Sequence, residues 1–317
     1  MKKFMSCLAL VALVTLCFGS FAFAAETFPQ KNIKIIVPFA PGGGVDVTCR
    51  LMAEVAPKYM NGKKIVVENM PGGGAVIGQT FVSKAKADGY TILAYTSSVV
   101  TNPMTKKTTY THKSFKPIAM YCFDPEIVMV PENSPYKTLK EFIGAAKTKE
   151  ISLATPGYST SHHIACLILE NRLGVKFGYV HNESAAMQVQ QLLGGHVEAG
   201  MMALGEASGF IKDGTMRALG VMTNERPKDF SFIPTFKEEG TDLVWGAFRG
   251  LAVPEGTSDE TVKALDELFG KIINDEDFAA RMAKAGYPLV YRNAPDFGSY
   301  VEEVATELEK IVPTLNQ

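Results

Sequence analysis

Ile35-Ile36-Val37-Pro38-Phe39-Ala40-Pro41-Gly42-Gly43-Gly44-Val45-Asp46 decides how this chain is read. An apolar run meets two prolines and a glycine triplet, and apolar residues then recur at Val47, Leu51 and Val55, one face of a helix. The pattern is a buried strand, a tight turn and a helix start, with Asp46 as the expected N-cap. Glycines let backbone approach a ligand closely. Free N–H groups at a helix start, aided by the helix dipole, favour an anion. The stretch therefore reads as a seat for a carboxylate or phosphate, or as a plain strand-to-helix connection.

Working outward, the same device recurs. Ile65–Glu68 reads as a strand before a second glycine turn, Asn69-Met70-Pro71-Gly72-Gly73-Gly74, and a helix to about Ala85. No polar ligand groups neighbour this second turn. Thr91–Tyr95 is a third strand closed by Ser97 and Ser98. Strands separated by helix-length segments imply a parallel α/β sheet with right-handed crossovers.

A second block begins with a strand at Glu126–Val130 and a helix at Thr138–Lys147, where Thr138 and Glu141 have capping-box spacing. The strand Ile151–Ala154 leads into the polar turn Thr155-Pro156-Gly157-Tyr158-Ser159-Thr160-Ser161-His162-His163 and a helix to Leu173. Asn182, Glu183 and Ser184 follow a later strand, and Gly205 and Glu206 follow another. All these polar groups fall at strand C-termini, where α/β sheets present ligand contacts. The tail carries an extended segment, Ala247–Val253, two helices, a short strand and a terminal helix over Asp296–Ile311. The chain is expected to cross between blocks near Cys122–Glu126 and Val244–Arg249.

The N-terminus reads as an export signal: Lys2 and Lys3, an apolar run from Leu8 to Phe21, and Ala22-Phe23-Ala24 as the cleavage motif, with the cut after Ala24. An uncleaved anchor is the alternative, but the run is short for a span. From 32 basic and 33 acidic residues, the signal removes two lysines, leaving a net charge of −3. That gives no global attraction to nucleic acid or anionic membrane. Cys49, Cys122 and Cys166 remain in the mature chain without metal or redox spacing, and one disulfide or three buried thiols both fit.

Several chemistries lack their residues. The first turn has neither Gly-Lys-Ser/Thr nor Gly-x-Gly-x-x-Gly. His162 and His163 point about 100° apart on a helix, so they rarely share one metal ion. A hydrolase would use Ser159 or Ser161, yet Ser161 stands where the nucleophile elbow needs its second glycine. No catalytic residue, metal or cofactor is expected.

Taken together, the chain resembles the extracytoplasmic solute receptors of tripartite tricarboxylate transporters, the Bug or TctC-like receptors. The resemblance rests on Ile36-Val37-Pro38-Phe39-Ala40-Pro41-Gly42-Gly43, Val66-Val67-Glu68-Asn69-Met70-Pro71-Gly72-Gly73-Gly74 and Asp88-Gly89-Tyr90-Thr91-Ile92-Leu93, then Pro156-Gly157 with Ser161-His162, Leu192-Leu193-Gly194-Gly195-His196-Val197-Glu198, Gly214 to Gly220 and Ile233-Pro234-Thr235-Phe236-Lys237-Glu238. It implies a periplasmic, two-lobe Venus-flytrap binding protein, each lobe a mainly parallel sheet flanked by helices. Lobe 1 would be 25–124 plus 249–317, and lobe 2 125–248.

The resemblance further implies a monomer that closes on a small mono-, di- or tricarboxylate and hands it to membrane permease subunits, with no nucleic-acid partner. Its ligand would meet Phe39, Ala40, Gly42, Gly43, Gly44 and Asp46, then Ser97 and Ser98, then Thr155, Gly157, Thr160, Ser161 and His162. Asn182, Glu183 and Glu206 would face its distal part. There the chain departs from many relatives, which carry a Pro-Tyr-Lys-Gly-like segment where this one reads Val180-His181-Asn182-Glu183-Ser184, and an Asp near Ala203 or Leu204. If Glu183 and Glu206 line the pocket, they disfavour a distal carboxylate and suit an amine. A secreted enzyme acting on a carboxylate, or a sensor that presents bound receptor to a signalling partner, are the alternatives.

Overall fold

The computed structural model describes residues 28–315, so the expected signal segment and its cleavage site lie outside the described residues. β1 (Ile33–Val37) is the strand of the opening stretch, and four of its five residues are buried. It pairs in parallel with β2 (Ile65–Asn69), Ile35 opposite Val67, and with β3 (Thr91–Thr96), Ile35 opposite Ile92. The crossovers are α1 (Gly44–Val55) and α2 (Val76–Ser83). The sequence reads as mostly helix over Val45–Met60, with Pro57 bending or ending it, and the α-helix does stop just before that proline, at Val55. Pro57 has no N–H to continue the ladder, and a 3-10 turn follows over Ala56–Tyr59. After β3 the chain forms an unexpected helix, α3 (Ser98–Thr105).

β4 (Phe115–Pro131) is the spine of the molecule, 17 residues where only Glu126–Val130 was expected. Pro117, Asp124 and Pro125 interrupt its apolar pattern. The strand accommodates Pro117 at one of two register shifts. Up to Pro125 it pairs antiparallel with β9 (Gly246–Pro254). From Glu126 it pairs antiparallel with β7 (Ala199–Ala203) and, from Ile127, with β8 (Met216–Val221). Between them lie α4 (Leu139–Ala146), β5 (Ile151–Thr155), α5 (Ser161–Leu173), β6 (Phe177–His181), α6 (Ala185–Leu193) and α7 (Leu204–Lys212). The tail adds α8 (Asp259–Ile273), α9 (Glu276–Lys284), β10 (Leu289–Arg292) and α10 (Ala294–Leu315).

Strand order is β2-β1-β3-β9-β4-β7-β5-β6, with β8 and β10 also paired to β4. Pairing is parallel within each α/β block and antiparallel where β4 and β9 join them. One core cluster runs through both blocks, from Ile36, Leu93 and Tyr95 to Phe142, Leu153 and Phe297. A second packs Ile127, Leu192, Met202 and Ile233 under α6 and α7. Nine residues of α5 are buried, so it has no solvent stripe and sits inside the molecule. The capping box of Thr138 and Glu141 forms as expected. Cys49, Cys122 and Cys166 are all buried and free, so the disulfide reading is corrected. Among the described residues, no helix is long and apolar enough to cross a membrane.

Candidate functional site

The β1–α1 turn is locked from behind. Gly42 adopts φ 85°, and its N–H donates to Asp46 Oδ2 at 2.9 Å. Asp46 also accepts from Arg50 Nε at 3.0 Å and from Asn69 Nδ2 at 2.9 Å. Burial raises its pKa, but the bonds from Arg50, Gly42 and Asn69 outweigh it and hold the carboxylate below its usual range. The expectation of Asp46 as N-cap is therefore corrected. Gly43 is the N-cap, and Asp46, three residues on, reaches back to fasten the turn. The first bond of the helix end runs from Val47 N–H to Gly43 O, at 2.9 Å. The amides of Gly44 and Val45 precede it and have no acceptor within the helix.

Six chain segments converge on one cavity. Gly43, Gly44 and Val45 meet Thr96 and Ser97, the turn residues Pro156 and Thr160–His162, Ser184 and Ala185 at the α6 start, and Glu206 on α7. Phe39 and β9 residues Ala247, Phe248 and Arg249 complete the wall, and the cavity volume is about 40 Å³. That is space for a few waters or one carboxylate-sized group.

Of the expected site residues, Phe39, Gly43, Gly44, Ser97, Thr160, Ser161, His162 and Glu206 therefore share this wall. The others do not. Ser98 turns away to accept from Gln79 Nε2 at 2.7 Å. Thr155 Oγ1 is bonded to His181 Nδ1 at 2.7 Å, and the Gly157 carbonyl accepts from Thr160 Oγ1. Asn182 is spent on the Thr155 and Val180 carbonyls. The Glu183 side chain is exposed. Ala40 and Gly42 are not on the wall: Ala40 N–H meets Glu183 O, and Gly42 is exposed and faces Ala186. Arg249 was missed, although a lone charge inside the apolar stretch Ala247–Val253 is a signal.

A buried chain of charges backs the cavity. His162 Nδ1 lies 2.6 Å from Glu126 Oε1, and its Nε2 lies 3.1 Å from Glu206 Oε2. Glu206 Oε1 accepts from Arg249 Nη2 at 2.9 Å, and Arg249 Nη1 donates to Asp124 Oδ2 at 3.0 Å. Burial pulls the His162 pKa down, but the charges of Glu126 and Glu206 prevail and lift it to about 10. Burial pushes Glu206 up, but His162 and Arg249 hold it near 2. Burial of Asp124, only partly offset by Arg249, raises it to about 6. Two buried atoms of this network lack a partner, Glu126 Oε2 and Arg249 Nε.

With a carboxylate on each ring nitrogen, His162 is an imidazolium. Ser161 Oγ lies 3.1 Å from Nδ1, the nitrogen that Glu126 occupies. A nucleophile and its orienting acid need opposite ring nitrogens, so this is no catalytic triad. His163 diverges, its Nδ1 accepting from Ser159 N–H. Among the described residues, no group of three or more His, Cys, Asp or Glu side chains could hold a metal ion.

Around the cavity the two rims touch. Ala40 N–H donates to Glu183 O at 3.2 Å. Lys106 Nζ donates to both Gly73 O and Tyr158 O, and Thr101 Oγ1 donates to Ser159 O. The second glycine turn thus packs against the β5–α5 loop rather than the cavity. A Cβ on Gly74 would lie 2.7 Å from Tyr158 O.

The family model described as the tripartite tricarboxylate transporter family receptor matches residues 48–317. The chain belongs to this family. It is 29% identical to the "UPF0065 protein in gbd 5′region" of Cupriavidus necator over 92% of this chain and 89% of that one. It is similar to the solved periplasmic binding protein BugD, at 26% identity and TM-score 0.86, covering 91% of this chain and 99% of that chain. It is also similar to MatC from Rhodopseudomonas palustris, solved with bound malate, at 26% identity and TM-score 0.83, covering 90% and 100%. This family receptor is a two-lobe periplasmic solute-binding protein, not an enzyme.

Proposed function

We propose that this receptor captures a small organic carboxylate between lobes 25–124 plus 249–317 and 125–248, and delivers it to the permease subunits of a tripartite transporter. The observation that carries the reading is the open N–H end of α1, on the wall of the cavity that Ser97 and Ser161 also line. A carboxylate there accepts the Gly44 and Val45 amides without needing a free cation. The malate in MatC supports the carboxylate class. The partner change of β4 between Pro125 and Glu126 supports the lobe boundary, because the two blocks can pivot about a strand they share. The mature receptor begins after Ala24 and acts as a periplasmic monomer.

A thermal-shift screen against mono-, di- and tricarboxylates tests this. Ligand at a hundred times its Kd stabilises the folded state by about 2.7 kcal/mol. If no acid raises the midpoint, the carboxylate reading fails.

A further inference from the structure

We propose that Glu206 sets the ligand class, and that the preferred ligand carries an ammonium group close to its carboxylate, as a small amino acid does, rather than a second carboxylate. This inference rests on the carboxylate reading of the cavity.

Three acids, Asp124, Glu126 and Glu206, face two cations, His162 and Arg249; four of the five are buried, and the Glu206 side chain is 7% exposed on the cavity wall. The constellation holds one negative charge in excess. Both Glu206 oxygens are engaged, each by one of the two cations, and of the nitrogens on those cations only Arg249 Nε, itself buried, lacks a partner. Other nearby basic groups are committed too. Arg50 holds Asp46 and Asn69, and Lys106 holds two rim carbonyls. A dicarboxylate would add two negative charges to a wall already short of positive charge. In a poorly solvated cavity that is costly. An ammonium cancels the excess instead.

Position narrows the ligand further. A Cβ on Gly44 would lie 2.5 Å from Glu206 Oε1 and 2.5 Å from Arg249 Nη2, so the Glu206–Arg249 pair adjoins the helix end that receives the ligand carboxylate. The two charged groups of the ligand must then be neighbours, on the same or adjacent carbons.

Calorimetry on the mature protein with alanine, β-alanine, propionate, malonate and succinate decides the matter. Alanine or β-alanine should bind at least about ten-fold tighter than propionate, with malonate and succinate weaker still. Glu206→Gln should erase the amino-acid preference while propionate still binds, and Glu206→Asp should keep it. If propionate or a dicarboxylate binds the wild type as tightly as the amino acids, the inference is overturned and the carboxylate reading stands. If none of the five binds, the amino-acid inference is overturned, and the wider acid screen decides the carboxylate reading. The wild-type series carries the test should Glu206→Gln not fold.

Discussion

Lys106 Nζ lies 2.9 Å from the Tyr158 carbonyl and 2.9 Å from the Gly73 carbonyl, so one ammonium staples the second glycine turn to the β5–α5 loop. Those segments belong to opposite blocks. Such contacts exist only while the rims meet, so they favour the closed form over the open one. Lys106→Met keeps the stem and deletes the staple. Ligand affinity should fall about ten-fold, since apparent Kd scales inversely with the competent fraction. The melting midpoint should hardly move. Calorimetry beside a melting curve checks it; unaltered affinity would remove the staple from closure.

Gly74 approaches the same loop too closely for any side chain. It has φ 63°, and an added Cβ would meet Tyr158 O at 2.7 Å. Gly74→Ala therefore strains the turn and holds the rims apart. Small-angle scattering should show the variant staying extended at ligand concentrations that compact the wild type. Identical ligand-dependent profiles would contradict this.

Gly44 is sterically tied to the cavity itself. Its missing Cβ is what lets Arg249 Nη2 and Glu206 Oε1 come within 2.5 Å of that point. Gly44→Ala is compatible with the helix but displaces a buried ion pair, a change expected to cost about 1–3 kcal/mol in stability. Binding should weaken by more than in Gly43→Val, because Gly43 faces Ser184 and Ala185 at ordinary contact distances. The reverse order in titrations would mean that the Glu206–Arg249 pair does not shape the pocket.

How much of this was readable beforehand follows from where the signal lies. The β1–α1 turn was legible because its glycines and helix period are contiguous. Ser97, Thr160 and Ser161 were found by the rule that strand C-termini carry ligand groups. The long strand β4 was not, because Pro117, Asp124 and Pro125 look like breaks until β9 is known to pair with them. Nor was the charge network, whose members come from β4, α5, α7 and β9 and meet only through the crossing strands. Asp124, Glu126 and Arg249 each interrupt an apolar run, and that was the available clue. Asp46 was misread because an acid at the third helical position can serve the turn as well as one at the cap.

His162 gives the network a pH signature. Its folded pKa, about 10, lies above the ordinary histidine value of 6.5. The folded state therefore holds the proton more tightly than the unfolded chain. The resulting stability is fully present below about pH 6.5 and is lost as pH rises through the folded value. Glu206, held near 2, contributes in the opposite sense: fully above its ordinary value of 4.5, and lost as pH falls through the folded one. The wild-type midpoint should thus decline from pH 7 to pH 10. His162→Gln should lower it at pH 7 by the equivalent of about 3–5 kcal/mol, since it leaves Glu126 and Glu206 buried with less compensation. It should also flatten the decline above neutrality. Melting curves across that range, recorded without ligand, separate the outcomes. A variant with the wild-type slope would show that the titrating group lies elsewhere, and one with the wild-type midpoint would show that the imidazolium is not needed to hold the two carboxylates.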